Sequence, residues 1–200
     1  MQHFSILPHL IKRTEDQERQ VTEVKEAEGT MQLIEACKRG DRRAQKAVYD
    51  LLASKMFALC IRYMGDRTEA EDVLQEGFVY LFTKLDSFTG QGSFEGWARK
   101  IFVNAALMSL RKNDILKDSD DIDTSINIAS ESTSAVQDIS YKELTKVINE
   151  LPVGFRTVFN MYVVEGYSHK EIGEALGISE ATSRSQLLRA RAMLQKKIRK

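Results

Sequence analysis

The sequence predicts an all-α protein made of two small helical domains joined by a flexible acidic linker. Three observations lead there. Proline occurs only at Pro8 and Pro152, and alternating runs of Val, Ile and Thr are scarce, so helices are the natural elements. The apolar share of 42% over 200 residues is that of an ordinary soluble globular chain, with room for one domain or two small ones. The formal net charge of +0 averages over unlike segments. From Ser179 to Lys200, Arg184, Arg189, Arg191, Lys196, Lys197, Arg199 and Lys200 stand against Glu180 alone. From Asp114 to Asp138, seven acidic residues stand against Lys117 alone.

Residues 1–29 form an N-terminal extension. Its start, "MQHFSILPHLIKR", is broken by Pro8 and His9, has no basic residues ahead of the apolar stretch and offers no small-residue cleavage site. The charged run behind it has few large apolar groups to bury and is expected to fray or to form a solvated helix. No other run approaches the ~20 apolar residues of a membrane span, so a cytoplasmic protein without membrane insertion is expected. The first domain covers 30–113. "MQLIEACKR" is a short amphipathic helix stopped by Gly40, Asp41 caps the next helix as far as Gly65, and Asp66 with Glu69 opens a third in a capping-box-like arrangement. On that third helix Leu74, Phe78, Leu81, Phe82 and Leu85 form one buried stripe, opposite Glu69, Asp72, Glu76 and Tyr80. "DSFTGQGS" is a loop by its glycines, and Ser93 caps a fourth helix through Lys112. Phe94, Trp97, Ala98, Ile101, Ala105 and Met108 are its core face, and Lys100, Asn104 and Arg111 share the adjoining flank at i, i+4 and i+11.

The acidic segment 114–137 has no sustained periodicity and reads as a linker. The second domain covers 138–200. "SYKELTKVINELP" and "VGFRTVFNMYVVEG" give two helices separated near Pro152, with Leu144, Val147, Ile148, Leu151, Val158, Phe159 and Tyr162 as core candidates. Ser168 and Glu171 form a capping box ahead of "KEIGEALG", whose Ile172, Ala175 and Leu176 face inward, and Gly177 supplies the turn. Ser179 caps the last helix, with Leu187, Ala190, Leu194 and Ile198 inward and Thr182, Ser185, Arg189 and Lys196 outward. A small hydroxyl followed by Arg near a helix N-terminus suits a DNA major groove, and Arg184 and Arg191 are placed for phosphates. The competing reading is an ordinary helical hairpin with a solvated basic side.

Together, "EAEDVLQEGFVYLFTKLDSFTGQGSFEGWARKIFVNAALMSLRK" and "LPVGFRTVFNMYVVEGYSHKEIGEALGISEATSRSQLLRARAML" resemble the two domains of extracytoplasmic-function sigma factors, the dissociable specificity subunits of bacterial RNA polymerase. The resemblance covers residues 30–112 and 138–197 in the family's order. It implies that the "EDVLQEGF" helix docks on the clamp helices of the polymerase's largest subunit, with Asp72, Gln75, Glu76 and Val79 as contacts. It implies that the "SFEGWARKIFVN" helix opens promoter DNA near minus ten and holds a flipped base. There Asn104 matches the family's Asn, with Lys100, Arg111 and Lys112 on the backbone. Trp97 falls on the core stripe, and Phe88 and Phe94 are expected to brace the loop. For the minus-thirty-five duplex, Arg184, Ser185, Leu188 and Arg189 carry over by position, beside Thr182, Arg191 and Lys196. The chain departs from the pattern at "EAT", where a Gly-Thr pair is usual, and at Ser183, where Val is frequent. Gly77 and Ala98 replace bulkier residues, a change expected to loosen the first domain slightly. In the family the acidic linker threads through the polymerase channel.

The function implied is recruitment of core RNA polymerase to promoter DNA. No catalytic site, metal or cofactor is expected: there is no Gly-rich phosphate loop, Cys37 and Cys60 form no CxxC pair, and His3, His9 and His169 are scattered, with His169 an exposed first-turn residue. An anti-sigma factor is an expected partner, and the free chain is expected to be a monomer. The rival class is a stand-alone helix-turn-helix regulator that binds an operator without polymerase. A purely protein-binding helical adaptor is the third.

Overall fold

The computed structural model describes residues 28–112 and 141–198. Residues 1–27 of the extension, Asn113 at the end of the expected first domain, the expected linker 114–137, residues 138–140, and Arg199 and Lys200 lie outside the described residues. Within them the chain is all helical, with four helices on each side of the gap.

Helix α1 (28–38) buries Ile34 and Cys37, and Gly40 at φ +82° ends its turn. The Asp41 carboxylate accepts from the N–H groups of Arg43 at 2.8 Å and Ala44 at 3.3 Å, starting α2 (Arg42–Met64). Val48, Leu52, Met56, Leu59, Cys60 and Tyr63 form the buried stripe of α2. At Asp66 half of the expected reciprocal cap is present: its carboxylate accepts from Glu69 N–H at 3.0 Å to open α3 (Arg67–Thr83). A 3-10 turn (Leu85–Ser87) leads into the loop before α4 (Phe94–Lys112). Phe88, Phe94 and Trp97 pack there as a ring cluster with centroids 5.3–5.6 Å apart, so Phe88 and Phe94 brace the loop from inside.

Helix α4 is buried far more widely than one stripe. Ile101, Phe102, Val103, Ala105, Ala106, Leu107 and Leu110 are all buried, with α2 and α3 packed against the helix. The expected core face is corrected at Met108, which is 51% exposed. At 100° per residue it lies beside Asn104 on the narrow strip that remains open. Gly77 proves to be a packing requirement, not a loosening: a Cβ there would sit 2.3 Å from the Phe102 ring, which meets Phe78 edge-on at 5.1 Å.

In the second domain α5 (Tyr141–Asn149) contributes Ile148, and Pro152 stands at the N-cap of α6 (Val153–Phe159). A small cluster of Ile148, Leu151, Phe155, Ala190 and Leu194 joins α5 and α6 to the last helix. Three expected core residues of this domain are exposed instead. Leu144 sits in the first turn of the nine-residue α5 and is 37% exposed, and Ile198 lies past Leu194 at the end of the last helix and is 38% exposed. Tyr162 is 37% exposed because α6 continues as a π turn (Asn160–Val164) instead of an α-helix, which rotates Tyr162, Val163 and Val164 outward.

The two domains share one hydrophobic core. Val158, Met161, Ile172 and Leu187 pack in the same buried cluster as the first-domain helices. Polar groups stitch the seam. Glu165, directly after the π turn, has a side chain 4% exposed and accepts from Arg62 Nη2 at 3.0 Å and from Arg99 Nε and Nη2 at 3.1 Å. Asn160 Nδ2 donates to the Arg62 carbonyl at 2.7 Å, and Arg156 donates to the carbonyls of Met64 at 3.0 Å and Asn149 at 2.8 Å. Gly65 combines φ +77° with the absence of a Cβ that would fall 2.6 Å from Arg156 Nη1, so only glycine both ends α2 and admits the guanidinium.

Two outcomes follow from this packing. Gly77→Ala overpacks the α3–α4 contact at a cost of about 1–3 kcal/mol, exceeding the ~1 kcal/mol that Ala contributes in a helix interior. Its melting midpoint is expected to fall, with partial recovery in the Gly77→Ala/Phe102→Leu double variant; an unchanged midpoint would show that Phe102 yields freely. Burial pushes the Cys60 thiol up to about 12, and burial followed by the Asp41 charge raises Cys37. Iodoacetamide at about pH 8 is therefore expected to spare both thiols in the native chain and to label both once it is unfolded.

Candidate nucleic-acid interface

The helix-turn-helix is built by local chemistry. Ser168 and Glu171 form the full capping box of α7 (His169–Leu176): Ser168 N–H donates to the Glu171 carboxylate at 2.8 Å, and Glu171 N–H donates to Ser168 Oγ at 3.2 Å. Ser168 Oγ also donates to the Glu171 carboxylate at 2.7 Å, and this bond first, then that from Ser168 N–H, holds the Glu171 carboxyl below its ordinary range. Gly177 is left-handed at φ 70° and turns the chain. Gly173 is a feature the sequence reading passed over. A Cβ there would lie 2.8 Å from the Ile178 carbonyl, so the turn packs directly against the α7 backbone.

Helix α8 (Glu180–Ile198) begins where Ser179 Oγ accepts from Thr182 N–H at 2.9 Å. Ser183, Gln186, Leu187, Ala190 and Leu194 are its buried side. The seven expected contact residues all fall on the remaining arc, in unequal states. Arg184, Ser185, Leu188, Arg191 and Lys196 are exposed, whereas Thr182 and Arg189 are half-buried. Several are already engaged. The Thr182 hydroxyl pairs with Ser179 Oγ at 2.8 Å, Ser185 Oγ donates to the Thr182 carbonyl at 2.9 Å, Arg184 pairs with Glu180, and the Arg191 guanidinium lies 5.9 Å from the Tyr162 ring centroid. Each bond is local and leaves the side chain at the surface.

His169 is not simply exposed. It is half-buried, stacks on Tyr162 with centroids 4.3 Å apart, and its Nδ1 lies 2.9 Å from the hydroxyl of the fully buried Ser183. Burial first, then the positive charge of Arg184, lowers its pKa, so the ring is neutral near pH 7. Ser183, a departure from the common pattern, thus has a polar partner for its buried hydroxyl.

On the first domain, Lys100, Asn104, Met108, Arg111 and Lys112 are the exposed side chains of α4. Lys100 lines a groove of about 340 Å³ between the domains with Arg99, Val103, Glu165, Tyr167 and Glu171. Arg111 donates to the carbonyl of Ala175, at the C-terminal end of α7. On α3, Asp72, Gln75 and Glu76 are exposed and Val79 is 64% exposed, while Tyr80 is half-buried. These four fall within about 100° of the helix circumference and form one acidic face with an apolar centre. Among the described residues no cluster of His, Cys, Asp and Glu is arranged to hold a metal ion.

Comparison with known proteins finds two matched regions in the chain. Sigma-70 region 2 matches residues 48–115, and Sigma-70 region 4 matches residues 141–194. The chain is 29% identical to the ECF RNA polymerase sigma-E factor of Haemophilus influenzae, covering 83% of this chain and 93% of that one. It is 29% identical to the ECF RNA polymerase sigma factor SigW of Bacillus subtilis, covering 83% and 95%. Among solved structures, the sigma factor RpoE in complex with the anti-sigma factor NepR from Bartonella quintana aligns at TM-score 0.48 and 23% identity, over 76% of this chain and 94% of that one. With both regions present in the family's order and near full-length relatives of one kind, the chain belongs to the sigma-70 family, in its extracytoplasmic-function group.

Proposed function

We propose that this chain binds core RNA polymerase and directs promoter-specific initiation, with residues 30–113 handling the polymerase and the minus-ten element and 138–200 the minus-thirty-five element. The observation that carries the reading is the pairing, in one chain, of two matched sigma regions with two polar strips where that function needs them: α4 in the first, α8 in the second. Asp72, Gln75, Glu76 and Val79 are the proposed docking contacts, and their exposure on one face of α3 supports it. Asn104 is the proposed base contact near minus ten, with Lys100, Arg111 and Lys112 on phosphates. Arg184, Ser185, Leu188 and Arg189 read the minus-thirty-five duplex, with Thr182, Arg191 and Lys196 positioning it.

In this role the chain supplies binding energy and strand separation, and the polymerase supplies the chemistry, so it is no enzyme itself. It acts in the cytoplasm, consistent with the lack, among the described residues, of a helix long and apolar enough to cross a membrane. An anti-sigma factor is the natural regulatory partner.

Run-off transcription with purified core polymerase over a genomic library tests the reading. Defined start sites are expected; binding to operators without core, and no initiation with it, would establish the stand-alone regulator instead. Asn104→Ala is expected to slow promoter opening at least about tenfold while leaving core affinity unchanged, since a lost base contact acts after docking. Equal loss of both rejects the base contact. Removing both Arg184 and Arg189 is expected to cost about 2–6 kcal/mol of minus-thirty-five binding if each contacts a base bidentately. Undiminished promoter binding by that double variant would favour the helical adaptor.

A further inference from the structure

Ser183, where Val is frequent in the family pattern, is a polar tie inside the recognition unit. It is fully buried near the start of α8, and among the described residues the one partner of its hydroxyl is Nδ1 of His169, 2.9 Å away. The His169 ring is held in turn by Tyr162 of the π turn, stacked with centroids 4.3 Å apart, and the Arg191 guanidinium lies 5.9 Å from the Tyr162 ring centroid. One imidazole thus joins the π turn, the start of α7 and the start of α8. A Val at this place would pack without direction, whereas a buried hydroxyl demands an acceptor in a fixed direction. Because Nδ1 is that acceptor, the ring is the neutral tautomer with its proton on Nε2.

We propose that His169 is a positioning residue for minus-thirty-five recognition: by accepting the Ser183 hydroxyl while stacked on Tyr162, it sets the pitch of α8 from which Arg184, Ser185 and Arg189 reach the duplex. This rests on the minus-thirty-five role of α8 proposed above. Ser183 directly precedes Arg184 and Ser185 and stands less than two turns from Arg189, so a shift at its hydroxyl is passed to all three. The hold depends on protonation. A proton on Nδ1 turns that atom from acceptor to donor and leaves the buried hydroxyl hydrogen without an acceptor. The groups facing the ring are Tyr162 from the π turn and Arg184, Glu180 and Arg191 from α8; burial first, then Arg184, resists the proton, Glu180 favours it and Arg191 resists it. The folded ring therefore charges below the ordinary histidine value. The hold is complete above that value and is lost as pH falls through the folded one.

The experiment uses holoenzyme assembled from the full chain, on a promoter recovered by run-off transcription, from about pH 8 to about pH 5.5. At the upper end His169→Ala is expected to bind that promoter at least about tenfold more weakly with core affinity unchanged, and His169→Asn, whose Oδ1 replaces the acceptor, to stay within about threefold of wild type. Relative to His169→Asn, which does not titrate, wild type is expected to lose at least about threefold on acidification, the ratio cancelling the pH response of polymerase. An Asn variant as weak as the Ala variant, or parallel pH profiles for wild type and the Asn variant, overturns the proposal. So does tighter wild-type binding in acid, which would make the ring a phosphate contact. If His169→Ala does not fold, Ser183→Ala takes its place; a flattened pH profile is expected, and one as steep as wild type overturns the tie. The free full-length chain is also titrated by NMR, without polymerase or DNA. There the Ser183 amide is expected to shift with the His169 ring at one midpoint below the ordinary histidine value, and separate midpoints overturn the tie. Failure of run-off transcription defeats the proposed function and leaves the NMR result standing.

Discussion

The Glu165 carboxylate, nearly sealed from water between Arg62 and Arg99, is the contact on which the arrangement of the two domains turns. A buried ion pair contributes little net stability, because desolvating the charges offsets most of their attraction, yet removing one partner costs about 3–5 kcal/mol. The pair therefore specifies how the domains meet more than how firmly they hold. Its position depends on the π turn: the Glu165 N–H reaches the Asn160 carbonyl at 3.0 Å, five residues back, and the extra residue in that turn aims Glu165 inward and Tyr162 outward. Arg156 and Asn160 extend the seam by donating to carbonyls of the last turn of α2, where Gly65 leaves the space.

The buried surface on α4 is wide because α2 and α3 both pack against it, and Val103 lines the groove it shares with the second domain. What remains open is the strip of Lys100, Asn104, Met108 and Arg111. A polar strip so narrow, on a helix so completely anchored, holds its side chains at fixed separations, which is what recognition of an unstacked strand requires.

Electrically the chain is neutral overall and strongly polar locally. Basic groups concentrate on α8 and along α4, and acidic groups on the outer face of α3. For a subunit that polymerase delivers to DNA, local cations suffice, and a large overall positive charge would favour nonspecific binding throughout the genome. The His169, Tyr162 and Arg191 stack stands between α8 and the π turn, so the recognition helix is braced against the same segment that carries Glu165.

Much of the fold was legible in the sequence because its signals are local. The caps at Asp41, Ser168 and Ser179, the left-handed turns at Gly65 and Gly177, and the α8 stripe of Leu187, Ala190 and Leu194 each depend on residues within a few positions of one another. The family followed from two motif blocks in order. The errors fall where distant segments decide burial. Met108, Leu144 and Ile198 have core-like side chains at helical spacing that no neighbouring element covers, and Tyr162 is turned outward by the π turn. Arg62, Glu165 and Arg156 carry no local signal of burial, because their partners lie as far as 103 positions away. By itself the sequence determined the helices, their ends and the two polar strips, since hydrogen bonding and periodicity act over a turn or two. Which charges are buried, which glycines admit a neighbour, and how one domain covers the other were decided by tertiary structure, because burial is a property of what packs against a residue and not of the residue alone.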